Sequence, residues 1–442
     1  MSEQSFLTDT LVRHPYGQSV ARVLAAVIQA VEPGSAVRRF VRRRKNVLLV
    51  NGQELDLAQT GRIVILGLGK AAWGMAQPLV ELLADRNPRG VLIPKQAPAE
   101  ALGGFEIVPG GHPLPDERSL LAGQKALELV SGLQENDLLL CLISGGGSAL
   151  MTAPQTGISL AELRTLTSSL LACGARIDEI NTLRRHLDRL KGGGLARAAF
   201  PARVISLILS DVVNNPLEAI ASGPTAPDPS TRAEALGVLE KYCLLHSTPL
   251  AILKTLETAP ETPKAGEAVF ERVENILVGS NLLAAQAALA QAQSEGMQGG
   301  LLGGDWQGEA RAVAVELCQR LKNTTQERPF CLVAGGETTV SLHGKGRGGR
   351  NQELALAAVP ELDGSPDLLL VTLATDGEDG PTDAAGAVVS GGSLRRGQAL
   401  GLEPGTFLNE NNAYAYFEAL GDLLKPGPSG TNVNDLTFLF GF

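Results

Sequence analysis

Residues 138–151 read LLLCLISGGGSALM, an apolar run that ends in three consecutive glycines between two serines. The unbroken apolar run predicts a strand over 138–143 that is buried on both faces. Glycine adopts positive φ freely, and successive backbone N–H groups in such a turn can hold a phosphate or carboxylate. A tight turn needing glycine for packing is the alternative, but one glycine would suffice for it. The predicted anion nest consists of Ser144, Gly145, Gly146, Gly147 and Ser148.

The pattern of apolar strand followed by helix recurs on both sides of this stretch. Strands are predicted at 62–66, 90–95 and 203–213, with a helix from about Ala71 after the first of them. Unbroken apolar strands that alternate with helices are typical of a parallel sheet covered on both faces. The predicted fold class is therefore α/β with a Rossmann-like N-terminal sheet.

The chain has 442 residues, which is too long for one ordinary core and predicts two domains. Seven prolines within 214–266 predict a boundary or hinge there. The predicted domains are a larger N-terminal domain, 1–265, and a smaller C-terminal α/β domain, 266–442. The last strand of the second domain is a candidate to pack back toward the cleft between the two.

Composition excludes several classes of protein. A balance of 38 basic and 47 acidic residues, net −9, disfavours non-specific binding to nucleic acid or anionic membranes. The five cysteines are far apart and lack zinc-ligand spacing, which favours buried free thiols in a reducing cytoplasm. No secretion signal and no apolar run of roughly 18 residues occurs. We expect a cytoplasmic protein with small-molecule partners; a homodimer stays open.

Ligands of open parallel sheets bind outside the carboxyl ends of the strands. The segments after the predicted strands are rich in glycines, hydroxyls, acids and one lysine. They are GLGKAAWG (67–74), SGGGSAL (144–150), SDVVNNP (210–216), GGETT (335–339) and TDGEDGPTD (375–383).

The segment 67–74 satisfies the loose GxGxxA dinucleotide pattern through Gly67, Gly69 and an alanine. That pattern also needs an acid about 20 residues on, whereas the next strand ends in Lys95. Lys70 could serve phosphate or carboxylate oxygens as a point charge. We interpret the loop as an anion site rather than a nicotinamide site, with an exposed structural lysine as the alternative.

Segment 343–359 is the most cationic glycine loop and leads into a helix. The guanidinium of Arg350 could join the helix start in holding a polyanion, and could neutralise a transferred phosphoryl group. Asn351 beside it is a further candidate for substrate binding. Lys345 and Arg347 are interpreted as a solvated loop.

Acidic side chains also follow the strands. Asp211 or Asp376 could hold Mg²⁺ or accept a proton from a substrate hydroxyl, and Glu337 could contact substrate. Turn capping is an equal alternative for Asp379 and Asp383. Among the remaining polar residues, packing and ligand roles stay equally open for His112, and for His186 with its neighbours Arg184, Arg185 and Lys191.

Several enzyme signatures do not occur. The chain has no GxxxxGK[ST] loop, no protein-kinase set and no HExxH, and GGSAL at 146–150 fails the GxSxG pattern. P-loop kinases, protein kinases, zincins and α/β-hydrolases are therefore disfavoured.

Eight ordered motifs closely resemble the class II glycerate 2-kinases, which carry a MOFRL domain at the C-terminal end. They are GLGKAAWGM (67–75), SGGGSAL (144–150), INTLRRHLDRLKGGGLA (180–196), SDVVNNPLEAIASGPTAPD (210–228), GGETTV (335–340), GRGGRNQELAL (346–356), TDGEDGPTDAAGA (375–387) and GTNVNDL (430–436).

This resemblance implies ATP- and Mg²⁺-dependent phosphorylation of D-glycerate at its 2-hydroxyl. It also implies that Lys70 and Arg350 are central to catalysis. Asp211 corresponds to the aspartate of the family's SDV motif. Because some similar proteins are labelled hydroxypyruvate reductases, an NAD(P)H-dependent reductase is the alternative. A non-catalytic anion-binding protein is the third hypothesis, but it needs neither the cationic loop nor the acidic cluster.

Overall fold

The computed structural model describes every residue, 1–442. The α-helices are α1 (Asp9–Arg13), α2 (Gly17–Val31), α3 (Pro33–Phe40), α4 (Ala72–Leu82), α5 (Glu117–Val130), α6 (Gly147–Leu150), α7 (Leu160–Ala172), α8 (Ile177–His186), α9 (Gly194–Ala199), α10 (Arg232–Lys241), α11 (Leu250–Thr258), α12 (Asn281–Ser294), α13 (Ala310–Asn323), α14 (Arg350–Leu362), α15 (Ser393–Ala399), α16 (Pro404–Asn409) and α17 (Ala413–Leu420).

The strands are β1 (Val41–Arg44), β2 (Val47–Val50), β3 (Gln53–Asp56), β4 (Ile63–Leu68), β5 (Arg89–Ile93), β6 (Phe105–Ile107), β7 (Leu138–Ile143), β8 (Arg203–Leu209), β9 (Val273–Gly279), β10 (Gln298–Glu309), β11 (Phe330–Thr339), β12 (Leu368–Ala374), β13 (Gly386–Ser390), β14 (Leu423–Leu424) and β15 (Asp435–Gly441).

The chain forms two compact units, called here unit I (residues 36–278) and unit II (residues 1–35 and 279–442). This division differs from the predicted domains 1–265 and 266–442. The first 35 residues join unit II because the apolar face of α2 packs on α12, and Arg22 pairs with Glu295 at 2.5 Å. The apolar face of an amphipathic helix indicates that the helix packs on a core, but the sequence does not indicate which core.

Unit I contains a six-stranded sheet in the order β6-β5-β4-β7-β8-β9. The pairs from β6 through β8 are parallel, which confirms the predicted parallel sheet. Every residue of β4 and β7 is buried, as their unbroken apolar sequences predicted. Counted along the chain, this is the Rossmann order 3-2-1-4-5-6, whose strand order reverses between β4 and β7.

The proline-rich stretch 214–266 lies inside unit I and not at the boundary between the two units. Its helices α10 and α11 pack with α7 and α8 around a small core of their own, to which Leu170, Ile180 and Leu239 contribute. The edge strand β9, which falls within the predicted second domain 266–442, completes the sheet of unit I beside β8. The prolines therefore lie in the connections of a packed helical layer.

Helix α8 ends at His186, well before the glycines at 192–194. Asp188 leaves the helix to form an isolated bridge with Pro154, and its carboxylate accepts from Thr152 Oγ1 at 2.7 Å. A local tertiary contact thus ends the helix where the apolar pattern alone would have continued it.

Unit II contains a mixed six-stranded sheet in the order β10-β11-β15-β12-β13-β14. The final strand β15 lies in its middle, antiparallel to both β11 and β12. It therefore completes the core of its own unit, and the expectation that it packs toward a cleft stays a prediction. Local sequence does not indicate that the last strand of the chain lies in the middle of its sheet.

The segment GGETT (335–339), predicted to follow a strand, instead lies inside β11. A Cβ on Gly336 would stand 2.1 Å from the backbone oxygen of Trp306 in β10, and one on Gly335 would meet Asn281. The two glycines permit close packing against the strand rather than a reversal of the chain.

All five cysteines are free thiols, as expected, but only Cys141, Cys318 and Cys331 are buried. Cys173 and Cys243 are exposed, so the prediction that all are buried is wrong for these two. No single helix is long and apolar enough to cross a membrane; α2 and α3 reach that length only together, across a 68° bend.

Candidate functional site

The first group of predicted residues meets at the switch point of the unit I sheet. The loops after β4 and β7 lie side by side, with the Lys70 amide donating to the Gly145 oxygen at 3.0 Å. The Ala71 amide donates to Ser144 Oγ, also at 3.0 Å. Adjacent parallel strands bring these distant loops together, which is the convergence that the sequence predicted.

The GxGxxA loop does not offer free backbone donors. Besides the amides of Lys70 and Ala71, that of Gly69 donates to Ile93 at 3.1 Å and that of Ala72 donates back to Gly69 at 3.2 Å. A dinucleotide pyrophosphate needs such amides as its own partners. The loop geometry therefore disfavours the dinucleotide interpretation.

Two residues predicted to bind a ligand make contacts within the fold. Gly67 lies within β4, where a side chain would stand 2.6 Å from Leu92. Ser144 is buried, and its hydroxyl, which accepts from Ala71, donates to Leu68 at 3.3 Å. Both positions join the two loops rather than open them to a ligand.

Each glycine of the triplet has a structural reason. A Cβ on Gly145 would stand 2.0 Å from Asp211 Oδ2, and one on Gly147 would stand 2.7 Å from the Ala221 methyl. Gly146 has φ +85°, a conformation that favours glycine. The argument that packing needs only one of the three is wrong. The triplet instead places the Asp211 carboxylate against the switch point.

Positive charge gathers at the same edge of the sheet. Burial lowers the pKa of His112, and the nearby charges of Lys70 and Lys95 lower it further. A Cβ on Gly146 would come within 3.3 Å of the His112 ring, so this imidazole lies over the triplet. The exposed Lys70 side chain is thus close to the switch point, although its loop amides are used internally.

Most of the second group of predicted residues lines a large pocket of unit II, about 750 Å³ in volume. Its walls are the end of β11, the glycine loop before α14 and the loop after β12. The lining residues are Glu337, Thr338, Thr339, Val340, Leu342, Gly344, Lys345, Gly346, Gly348, Gly349, Arg350, Glu353, Asp376, Glu378, Asp379, Gly380, Pro381, Asn411 and Asn432.

Arg350 is fixed at this pocket by two carboxylates. Its Nη1 donates to Glu337 Oε1 at 2.6 Å, and its Nε donates to Asp435 Oδ2 at 2.5 Å. Burial acts to lower the pKa of Arg350, but Asp435 and then Glu337 outweigh it and raise that pKa. Glu337 pairs with this arginine and also lines the pocket, and the prediction that it contacts substrate stays a prediction.

The residues that follow Arg350 in α14 are also held by specific partners. Asn351 is 3% exposed, and its Nδ2 donates to Asp379 at 3.3 Å. Glu353 accepts from Arg311 Nε at 2.7 Å, and burial raises the pKa of its carboxyl. Asn351, predicted to bind substrate, is therefore buried and bonded to a neighbouring loop.

Asp379 caps the start of α14 from a distant loop. Its Oδ1 accepts from the Asn351 amide at 3.1 Å and its Oδ2 from the Gln352 amide at 2.9 Å. Burial, reinforced by Asp435, raises the pKa of Asp379 to about 7 despite these hydrogen bonds. The capping alternative is confirmed for this residue.

Asp383 has a different setting on the surface. It accepts from the Tyr414 hydroxyl at 2.7 Å and pairs with Lys425 at 3.4 Å. Arg347 and Lys345 are exposed, as predicted for a solvated loop, and Arg347 also lies 4.1 Å from the centre of the Tyr414 ring.

Comparison with known proteins decides the family. A family described as a domain of unknown function, DUF4147, matches residues 19–257, and the MOFRL family matches residues 330–435. The chain is 42% identical to D-glycerate 2-kinase of Thermotoga maritima, over 92% of this chain and 94% of that protein. It is 37% identical to glycerate 2-kinase of Pyrococcus horikoshii, over 94% and 95% respectively.

The chain belongs to the class II glycerate 2-kinase family. The solved structure of glycerate kinase from Thermotoga maritima has the same fold, with a TM-score of 0.87 at 38% identity. That similarity covers 96% of this chain and 99% of the other. The fold class and the resemblance drawn from the motifs are both confirmed.

For a member of this family, the charge of the unit II pocket is informative. Its lining includes five carboxylates and two cations, so an unaccompanied polyphosphate would meet excess negative charge. No group of three or more His, Cys, Asp or Glu side chains forms a metal cluster. Mg²⁺ bound with a nucleotide usually needs only one or two carboxylates, and Asp376 in this pocket fits that requirement.

The structure separates the predicted residues of the family site into two groups. Unit I holds Gly67, Gly69, Lys70, Ser144, Gly145, Gly146, Gly147, Ser148 and Asp211, whereas unit II holds Glu337, Arg350, Asn351 and Asp376. The two predicted metal ligands, Asp211 and Asp376, thus belong to different units.

Sequence reasoning missed Asp435 as a site residue. It begins β15, is 8% exposed and contacts Arg350 through both carboxylate oxygens, at 2.5 and 3.4 Å. Its only signal was its place in GTNVNDL (430–436), a motif of the family resemblance.

Proposed function

We propose that this protein transfers the γ-phosphoryl group of ATP to the 2-hydroxyl of D-glycerate, in the presence of Mg²⁺. The products are 2-phosphoglycerate and ADP. The observation that carries the proposal is the fixed guanidinium of Arg350 at a large, glycine-rimmed pocket, in a chain whose relatives are named glycerate 2-kinases.

Arg350 stabilises negative charge on the transferred phosphoryl group. Phosphoryl transfer is mostly positioning and charge neutralisation, and an arginine set in advance needs little reorganisation. Glu337 and Asp435 hold the guanidinium from two sides, so its remaining donors keep a fixed direction. Both carboxylates are positioning residues in this proposal.

When bound with the nucleotide, Mg²⁺ would supply positive charge that neutralises the phosphates. Asp376 is the residue proposed to hold it, in a pocket whose carboxylates outnumber its cations. Asp379 is less suited to this role, because both of its oxygens cap α14.

In unit I, Asp211 accepts the proton of the acceptor hydroxyl, and Lys70 pairs with an anionic oxygen of a substrate. Support for the first role is the place of Asp211 against Gly145 at the switch point. Support for the second is the exposure of Lys70 at the same edge. In both roles the side chain acts, because the loop amides are engaged elsewhere.

The test is a coupled assay of the purified chain with D-glycerate, ATP and Mg²⁺, with the product identified by phosphorus NMR. We expect 2-phosphoglycerate and ADP, and loss of both in Lys70→Ala and Arg350→Ala. Lys254→Ala removes an exposed lysine of unit I and serves as the matched control.

A parallel assay with NADPH and hydroxypyruvate tests the reductase alternative. Consumption of NADPH with no ADP formed from glycerate would replace the kinase proposal. The Rossmann strand order keeps this alternative worth testing, although the internally bonded GxGxxA amides disfavour it.

We place the reaction in the cytoplasm, where small molecules are the partners. The support is that all five cysteines are free, two of them exposed, as suits a reducing compartment.

A further inference from the structure

Residues 343–349, called here the glycine loop, contribute one wall of the unit II pocket and lie against residues 410–412. A Cβ on Gly344 would stand 2.2 Å from the backbone oxygen of Glu410, and one on Gly346 would stand 2.5 Å from the same atom. The Gly346 amide donates to that oxygen at 2.8 Å. The two glycines therefore let the loop lie directly on this segment, where a side chain at either position would push it away.

Asn411 binds the glycine loop through both ends of its side-chain amide. Its Oδ1 accepts from the backbone amides of His343 and Gly344, at 2.7 and 2.9 Å. Its Nδ2 donates to the Ser341 oxygen at 3.3 Å and to Glu353 Oε1 at 3.4 Å. Two acceptor and two donor contacts are all that such a side chain can make. Asn411 therefore joins the start of the glycine loop to helix α14.

The surroundings of Asn411 are rigid. Asn411 is 5% exposed, and its φ of +48° lies in the left-handed region, which asparagine tolerates better than most residues. Its partner Glu353 is 2% exposed and also accepts from Arg311 Nε at 2.7 Å. The chain itself thus supplies every bond that holds this end of the loop.

These bonds fix the backbone on both sides of Lys345. The residues before and after it, Gly344 and Gly346, each donate an amide to the segment 410–412. Lys345 is exposed at the pocket and forms no ion pair, whereas Arg350, the other cation there, is paired with two carboxylates. A lysine ammonium is a compact charge with three donors, which suits the oxygens of a phosphate.

We propose that Lys345 binds a phosphate of the nucleotide and that Asn411 is its positioning residue, which holds the glycine loop in the conformation that ATP requires. This inference rests on the function proposed above, which puts the nucleotide phosphates at this pocket. A loop that is already ordered spares the ligand the entropic cost of ordering it. The partners of Asn411 lie 58 to 70 positions away in the sequence, so local spacing gives no signal of this role.

The first test compares Asn411→Gly with Asn87→Gly in full steady-state kinetics. Glycine adopts the left-handed backbone without strain, so Asn411→Gly removes the side-chain bonds alone. Asn87 also has a positive φ, +46°, but is exposed and makes no side-chain hydrogen bond, so it is the matched control. We expect Asn411→Gly to raise KM for ATP about tenfold and to leave kcat within about threefold. Equal KM values for ATP in the two variants would overturn the proposal.

The second test asks whether Asn411 acts through Lys345. Lys345→Met changes an exposed side chain and should raise KM for ATP about tenfold, whereas the control Lys254→Met should not. If the two residues act together, the double variant Asn411→Gly/Lys345→Met should raise KM about 20-fold, well below the product of about 100-fold. A rise of about 100-fold, or no change in Lys345→Met, would overturn the proposal.

The third test measures nucleotide binding without turnover. Calorimetry of the full chain with ATP and Mg²⁺, in the absence of glycerate, is combined with hydrogen exchange of the peptide 341–346. We expect Asn411→Gly to raise Kd for ATP about tenfold and to speed exchange at the amides of His343 and Gly344, and Asn87→Gly to do neither.

The outcomes of the third test separate this inference from the proposed function. Weaker ATP binding in Asn411→Gly would support the role of Asn411 even if glycerate were never phosphorylated. Glycerate phosphorylation with unaltered ATP affinity in Asn411→Gly would leave the proposed function standing and overturn this inference alone. Failure of the wild-type chain to bind ATP would overturn both.

Discussion

Arg350 in unit II and Arg184 in unit I are both half-buried arginines that line a pocket, but their neighbours differ. Arg350 is held by two carboxylates, in a pocket where acids outnumber bases. Arg184 forms no ion pair, and its pocket has one excess positive charge. The first arginine is therefore fixed by two counter-charges, whereas the second has none. The residue type is the same, and its electrostatic setting is decided by the residues around it.

The largest effect should come from replacing the fixed guanidinium. Arg350→Lys keeps the charge but cannot bond Glu337 and Asp435 together in the same planar geometry. We expect kcat to fall about 1,000-fold, measured as ADP formation at saturating substrates. Near-native circular dichroism would show that the fold survives. A kcat within about tenfold of wild type would mean that positioned charge matters little in unit II.

The next comparison separates the two carboxylates that hold Arg350. Asp435 is buried and contacts two nitrogens of the guanidinium, whereas Glu337 is 41% exposed and contacts one. We expect Asp435→Asn to lower kcat about 100-fold and Glu337→Gln about tenfold, with KM for glycerate little changed. Equal losses in the two variants would contradict the proposal that Asp435 dominates the positioning.

The glycine triplet of unit I can be tested through stability. A Cβ on Gly145 would stand 2.0 Å from Asp211 Oδ2, so Gly145→Ala should lower the free energy of unfolding by about 2 kcal/mol. Gly237→Ala, in open space within α10, should raise it by roughly 0.5 kcal/mol. Denaturant unfolding measures both variants.

The double variant Gly145→Ala/Asp211→Ala sharpens this test. The Asp211 carboxylate is the group that would clash with the new methyl group. Gly145→Ala should therefore lower the free energy of unfolding less in the Asp211→Ala background than in wild type. Catalytic activity should not return, since the proposed proton acceptor is gone. Equal costs in both backgrounds would show that the clash lies elsewhere.

The smallest expected effect concerns the buried cap of α14. The pKa of Asp379 is raised from 3.8 to about 7 in the folded chain, next to Asp435 and the Arg350 cation. The folded state therefore keeps a proton that the unfolded state releases near pH 4. Asp379 should make the unfolding free energy fall as pH rises from about 4 to about 7, and then level off.

Asp379→Asn should remove that slope. We expect the wild-type curve to lose at least about 1 kcal/mol more than the variant over this range, measured by denaturant unfolding at several pH values. Subtracting the two curves cancels the groups that they share. Parallel curves would show that Asp379 is ionised in the folded chain throughout the range.

Much of the fold could be predicted because it rests on local periodicity. The apolar run 138–143 coincides with β7, and the helix predicted from about Ala71 begins at Ala72. Burial on both faces demands continuous apolar sequence, so the parallel strands are visible without a structure. Arg350 could likewise be selected, because a cation between a glycine loop and a helix start has few purely structural uses.

The residues whose contacts were not predicted are those whose partners lie far away in the sequence. Asp435 bonds Arg350, which lies 85 positions away in the sequence. Asn351 lies inside the fold, where it bonds Asp379, which is 28 positions away. Arg184 and Arg185 look alike in the sequence, yet only the second meets Asp228. Pairing between distant side chains depends on where the chain folds back, which local spacing does not record.

The sequence by itself determined the α/β class, the order of strands and helices, the glycine loops at strand ends and the motifs of the family. Tertiary structure decided that residues 1–35 join unit II, that β15 lies in the middle of its sheet, and which carboxylates neutralise which cations. The physical reason is that periodicity reflects how each segment meets water, whereas strand neighbours and charge pairs depend on which segments meet each other.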